Sequence, residues 1–297
     1  MEWGEALRHK LDDFAFQVWP DITAPEQIEF ALVWEPELGL LKRFPNLKGV
    51  VSLGAGVEHL MSDPSLPPGI PISRIVDPSV TAQMSEYAVY AALRHHRLMP
   101  SYGAAQQAHE WRPQPPPNTA GATIGILGLG VIGRDIAAKL RALGFPVLGW
   151  SRTPKKLGGI RCFAGDEGLW DMLPKTQVLI CILPLTPQTR GIINSRTLAA
   201  LPAGADIINL ARGGHLVADD LLAAIESGHI AGATLDVFAE EPLPPHHPFW
   251  SHPQITVTPH IAAIGAAVGA AARIAESIRR ALASQPLLDQ IDRELGY

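Results

Sequence analysis

Short apolar runs at strand-like intervals organise roughly the first ninety residues: FAFQVW (14–19), FALVW (30–34), LKGVVSLG (47–54) and IPISRI (70–75). Separated by helical spacings, these runs predict βα units. DPSVTAQMSEYAVYAALRHHRLM (77–99) follows, with Asp77 as cap, Pro78 at the first helical position and apolar residues at helical intervals, so a long helix is predicted. His95 and His96 read as part of its solvated face. WRPQPPPNTA (111–120) has four prolines and no periodicity, which predicts a stiff connector between two units.

Beyond the connector the pattern sharpens into six runs: ATIGIL (122–127), FPVLGW (145–150), QVLICIL (177–183), ADIINLA (205–211), AGATLDVF (231–238) and PQITVT (253–258). Continuous apolar strands with helical crossovers predict a doubly wound parallel sheet, with ligands bound beyond the carboxyl ends of its strands. The tail GAAVGAAARIAESIRRALAS (265–284) is rich in small residues at helical spacing and is expected to pack back on the first unit. The expected division is therefore 1–97 with 266–297 as one domain and 98–265 as the other.

Composition narrows the class. With 297 residues, two moderate cores fit better than one, and 47% hydrophobic against 18% charged residues supports both. A net charge of −5 supplies no basic field for nucleic acid and no polybasic membrane patch, which leaves a small-molecule protein as the expectation. Cys162 and Cys181 lack the spacing of a disulfide framework or a metal knuckle, so a reducing compartment is expected. The N-terminus has no uninterrupted apolar segment of the secretory kind, and glycines break the longest apolar runs.

The chemistry begins at Gly128, Gly130 and Gly133, set between an apolar run and an amphipathic helix that stops at Gly144. A G-x-G-x-x-G in that context marks a dinucleotide turn: a tight turn at the first glycine, close approach of a pyrophosphate at the second, helix-on-strand packing at the third. The next strand commonly ends in an acid that accepts from the adenosine ribose hydroxyls and repels a 2′-phosphate. Here it ends in Ser151, Arg152 and Thr153, eighteen residues beyond Gly133 at its start. Arg152 suits a phosphate, with Ser151 and Thr153 donating and Lys155 or Lys156 adding positive potential. NADP(H) is therefore the favoured cofactor, with NAD(H) left open; a solvated basic loop is the plainer alternative.

INLARGGHLV (208–217), TLDVFAEEPLP (234–244) and VTPHIAA (257–263) place Arg212, an acid and His260 at or just beyond predicted strand ends. A cation, an acid and an imidazole beside a nicotinamide suit reduction of a 2-oxo acid. Taken singly, Arg212 is also an ordinary surface charge, and Glu240 competes with Glu241. His246, His247, His252 and His260 crowd one region but lack carboxylate or thiolate partners at ligand spacing, so no metal is expected.

These segments, together with VVSLGAGVEHL (50–60), AQMSEYAV (82–89), GWSRTPK (149–155) and PFWSHPQITVTPHIAA (248–263), resemble the D-isomer-specific 2-hydroxyacid dehydrogenase family, and within it the glyoxylate/hydroxypyruvate reductase A branch. The resemblance implies a Rossmann domain beside a flavodoxin-like substrate domain, in a cytoplasmic, NADPH-preferring homodimer; the helix from 78 to 99 is the expected dimer surface. It implies a triad of Arg212, Glu241 and His260. Glutamate immediately before proline selects Glu241 over Glu240. His260 would protonate the substrate oxygen, Glu241 would favour the protonated ring, and Arg212 would hold the substrate carboxylate. Backbone N–H groups of Ala55, Gly56 and Val57 would bind that carboxylate as well. Leu129, Val131, Ile132, Lys156, Leu183, Pro184, Ala211 and Asp236 join the expected cofactor site, Asp236 near the nicotinamide carboxamide or else as a cap. Trp34 and Trp250 would wall the substrate pocket or pack in the core.

The family pattern also has a strand ahead of its first helix, whereas this sequence begins inside the helix, at EWGEALRHKL. A start assigned too late is favoured over a sheet that lacks a strand. It predicts an exposed groove lined by apolar residues of 14–19 and 30–34. A non-catalytic nucleotide sensor on the same fold, and a family enzyme for another 2-oxo acid, are the alternative readings.

Overall fold

The computed structural model describes residues 2–11, 14–115, 117–265 and 267–296. They divide into a unit of residues 1–80 with 264–297 and a unit of residues 81–263.

In the smaller unit the first helix, α1 (Glu2–Arg8), is followed by three short parallel strands in spatial order: β1 (Phe30–Val33), β2 (Gly49–Ser52) and β3 (Ile72–Arg74), with α2 (Glu58–Met61) between the last two. Period two along the strands sorts their side chains between two cores. Ala31, Val50 and Ile72 face Leu40, Leu41, Phe44 and Leu60, whereas Leu32 and Val51 face Leu7 of α1 and Ala270, Ala271 and Ile274 of the C-terminal helix.

Residues 14–19 form no strand, contrary to the expectation from their apolar run. Phe16 serves instead as a plug on α1: a Cβ on Gly4 would come within 2.8 Å of its ring. Phe14, Phe16 and Leu32 pack against the Leu7 cluster, while Val18, Trp19 and Trp34 of the same two runs remain 52%, 37% and 46% exposed.

The larger unit opens within α3 (Pro78–His96), at Thr81, and continues with α4 (Met99–Gln107). The connector then begins at Trp111, which is 97% exposed, and its Pro116 lies outside the described residues. Next come β4 (Ile124–Leu127), α5 (Val131–Ala142), β5 (Val147–Ser151), β6 (Arg161–Ala164), α6 (Gly165–Met172), β7 (Val178–Cys181), α7 (Ser195–Ala199), β8 (Ala205–Asn209), α8 (Ala218–Glu226), β9 (Ile230–Leu235) and β10 (Ile255–Val257). All seven strands are parallel, in the order β10-β9-β8-β7-β4-β5-β6. The chain enters at β4, runs outward through β5 and β6, and returns to the other side of β4 at β7. That reversal creates the crevice where such sheets take ligands. The six strands expected from the sequence are present. The seventh, β6, is an edge strand in which only Phe163 is buried, too little inward side chain to leave a pattern.

Two expectations about α3 change. His95 and His96 are 4% and 8% exposed, not solvated. His95 Nδ1 lies 2.8 Å from Asp206 Oδ1 and its Nε2 2.9 Å from Thr234 Oγ1, while His96 stands edge-on to Phe145 with its ring centroid 4.9 Å away. Burial holds the His96 pKa below its ordinary value. With Ser85 Oγ also donating to Asp135 of α5 at 2.6 Å, α3 belongs to the larger unit from Thr81 onward. The division thus falls after Val80, not at 97/98. The chain returns to the smaller unit at Ile264 and closes with α9 (Ala267–Leu282).

Candidate active site

The glycine turn joins β4 to α5. Gly128 has φ +109°, a left-handed conformation that favours glycine, and a Cβ there would lie 2.8 Å from Ile182 O. A Cβ on Gly133 would lie 1.9 Å from Gly128 O, so the turn closes only without one. At Gly130, which caps α5, a Cβ would meet nothing within 4 Å. Two glycines are thus demanded by the protein's own backbone, and the third borders open space at a helix N-terminus. A pyrophosphate fits that cradle. Leu129 is buried at 1% exposure against Gly149, leaving its backbone as the part a ligand can reach, whereas Val131 is exposed.

After β5, Ser151 is buried and its hydroxyl donates to Thr153 O at 2.8 Å, while Arg152, Thr153 and Lys156 are exposed. The serine proton is committed inside the loop, so the donors presented outward come from its neighbours.

The loops after β7, β8, β9 and β10 interlock. Leu183 and Ala211 are buried, and Pro184 O accepts from Thr189 Oγ1 at 2.7 Å. Arg212 is half-buried, with Nη1 donating to Ala211 O at 2.7 Å. Gly213 brings this loop against the next: a Cβ there would stand 1.8 Å from the carbonyl carbon of Phe238. Phe238 N–H in turn donates to Glu241 Oε1 at 2.8 Å, and Glu241 Oε2 lies 2.8 Å from His260 Nδ1. Glu241, not Glu240, is therefore the acid on the imidazole. The His260 side chain is 35% exposed, and with Nδ1 engaged, Nε2 is the nitrogen left to meet a substrate.

Asp236 is fully buried and organises the His260 loop. Its Oδ1 accepts from Thr258 Oγ1 at 2.6 Å and Ile261 N–H at 2.9 Å, its Oδ2 from Ala262 N–H at 2.8 Å, and its carbonyl from His260 N–H at 2.9 Å. Because the Thr258 hydroxyl donates to a carboxylate, Tyr87 must donate to Thr258 across their 2.7 Å contact. Burial pushes the Tyr87 phenol up from its ordinary pKa. These bonds hold His260 at φ +55°, in the left-handed region.

The crowded histidines have local tasks: His247 Nδ1 accepts from Phe249 N–H at 3.3 Å and His252 Nδ1 from Gln254 N–H at 3.3 Å. Among the described residues no group of three or more His, Cys, Asp or Glu is placed to hold a metal ion. Trp250 is 51% exposed, with Nε1 donating to Pro244 O at 3.0 Å, so it is no core residue.

In the smaller unit, the loop after β2 carries Ala55 and Gly56, whose carbonyls accept from Arg74 Nη1 at 3.3 Å and Ser52 Oγ at 2.8 Å; Val57 is buried. Trp34 lies over Gly54, where a Cβ would be 2.1 Å from its ring, and beside His59, yet remains 46% exposed. Sequence reasoning missed Tyr87, Gly213, His215 and Thr258 as individual residues, although each lies within a run quoted for the site: Gly213 and His215 beside Arg212, Thr258 beside His260, and Tyr87 in AQMSEYAV.

Residues 89–262 match the family model for the D-isomer specific 2-hydroxyacid dehydrogenase NAD binding domain. A glyoxylate/hydroxypyruvate reductase A from Serratia proteamaculans is 45% identical over 302 residues, covering 100% of this chain and 96% of the relative. Among solved structures, a D-isomer specific 2-hydroxyacid dehydrogenase from Xanthobacter autotrophicus Py2, in complex with NADPH and MES, is 43% identical with a TM-score of 0.95, covering 100% of this chain and 95% of that one. An NADPH-dependent glyoxylate/hydroxypyruvate reductase from Sinorhizobium meliloti, in complex with NADP and sulfate, is 40% identical with a TM-score of 0.87, covering 91% of this chain and 87% of that one.

Proposed function

The chain belongs to the D-isomer-specific 2-hydroxyacid dehydrogenase family and is an NAD(P)-dependent oxidoreductase; from that premise we propose that it reduces glyoxylate to glycolate and hydroxypyruvate to D-glycerate, with NADPH preferred. The observation that carries the reading is the Glu241–His260 pair at 2.8 Å, at the same sheet edge as the glycine turn.

Bound NADPH supplies a hydride to the 2-oxo carbon. His260 gives its Nε2 proton to the carbonyl oxygen. Glu241 fixes the ring through Nδ1 and balances its positive charge. Arg212 pairs with the substrate carboxylate and polarises the carbonyl as negative charge builds on its oxygen. The amides at the start of α5 hold the pyrophosphate, and Arg152 with Lys156 meets the 2′-phosphate, which no carboxylate in residues 151–156 repels. Asp236, fully buried with its carboxylate engaged by Thr258, Ile261 and Ala262, serves as the cap that organises the His260 loop. The names of the Serratia and Sinorhizobium relatives support both the substrate class and the cofactor.

The test follows absorbance at the nicotinamide band with glyoxylate or hydroxypyruvate, supplying NADPH and NADH in parallel. Faster consumption of NADPH is expected. No turnover while NADPH still binds would replace this reading with that of a sensor.

A further inference from the structure

His215 is fully buried, belongs to no step above, and has a ring that bridges two loops of the site. Arg212 N–H donates to its Nδ1 at 3.2 Å, and its Nε2 lies 3.2 Å from Pro184 O. Arg212 O is 3.0 Å from the same Nδ1, but that oxygen already accepts from Asn209 Nδ2 at 3.0 Å and from His215 N–H at 3.2 Å. With Nδ1 accepting, the ring proton sits on Nε2 and is donated to Pro184 O. The main chain around the ring is pinned too: Ile193 N–H donates to His215 O at 2.8 Å and Gly191 N–H to Gly214 O at 2.9 Å. Because the Arg212 guanidinium is tethered to the carbonyl of Ala211, its place follows the peptide that His215 holds.

We propose that His215 is a positioning residue that sets the substrate-orienting Arg212 against the cofactor-side loop at Leu183–Pro184. The inference rests on the reductase reading above. A neutral imidazole is suited to this, because one ring accepts at one end and donates at the other across a fixed span, with no side-chain rotation to spare in a buried site.

The two ends are separable. An asparagine amide occupies about the place of Nδ1 and a glutamine amide about that of Nε2, so His215→Asn keeps the Arg212 contact and His215→Gln keeps the Pro184 contact. Steady-state kinetics with glyoxylate and NADPH binding by nicotinamide fluorescence are measured on the full chain. Losing one buried hydrogen bond predicts a KM for glyoxylate about tenfold higher in His215→Gln, with NADPH affinity within about twofold of the unchanged protein. His215→Asn should reverse this, with NADPH bound severalfold more weakly and KM nearly unchanged. Parallel losses in both parameters for both variants, wild-type behaviour in both, or failure of both to fold would overturn the proposal; if only one folds, its KM-against-affinity split decides. An unchanged protein that consumes neither cofactor with any small 2-oxo acid would overturn the reductase reading, and this inference with it.

Discussion

The loop after β5 and the loops after β8, β9 and β10 leave the same edge of one sheet but are built differently. The first satisfies itself locally, Ser151 bonding to Thr153 two residues on, and leaves Arg152 and Lys156 exposed. The others are fastened to one another: Gly213 lies against Phe238, Phe238 bonds to Glu241, Glu241 to His260, and Asp236 to residues 258, 261 and 262. Holding a phosphate by charge tolerates looseness, because Coulomb attraction falls off slowly with distance. Proton transfer does not, because the acid must stand within hydrogen-bond reach of the atom it serves.

The contrast can be broken at three places, in decreasing order of effect. His260→Ala removes the proposed acid and should lower turnover on the order of 10²- to 10⁴-fold with NADPH affinity retained. Unchanged turnover would remove His260 from the chemistry. Gly213→Ala puts a methyl into the Phe238 peptide, shifting Glu241 through its bond to Phe238 N–H. Ångström-scale displacement of the catalytic groups predicts a fall in kcat/KM of about tenfold to 10²-fold. If kcat/KM survives, the loops are not mechanically coupled. Arg152→Asp should lower the NADPH-to-NADH ratio of kcat/KM about tenfold by replacing the proposed phosphate partner with a like charge. The effect should shrink as salt is raised, because the loop is exposed; a ratio that does not move would leave Arg152 a solvated charge.

Legibility followed burial. The strands β4 and β7 announced themselves because both faces are covered and their sequences are continuous apolar runs. β6 did not, having one buried side chain, and FAFQVW misled because a short apolar run suits a plug of aromatic rings as well as a strand. LRHHR reads as a polar helix face until Asp206 and Thr234, more than a hundred residues on, are brought against His95. Around the candidate site, the strand ends and the glycine turn could be read in the chain. The tie from His215 to Pro184, and that of Asp236 through Thr258 to Tyr87, could not, since each depends on residues that meet only in the folded sheet.

Under the proposed role of His260, its left-handed backbone sets stability against activity. A non-glycine residue held at φ +55° costs about 1 kcal/mol, and glycine would remove that cost. Selection for heat resistance alone would therefore draw this position toward glycine or asparagine, neither of which carries an imidazole. A thermostable descendant that kept turnover would have to gain its margin elsewhere, in the buried strands rather than at the edge where they end.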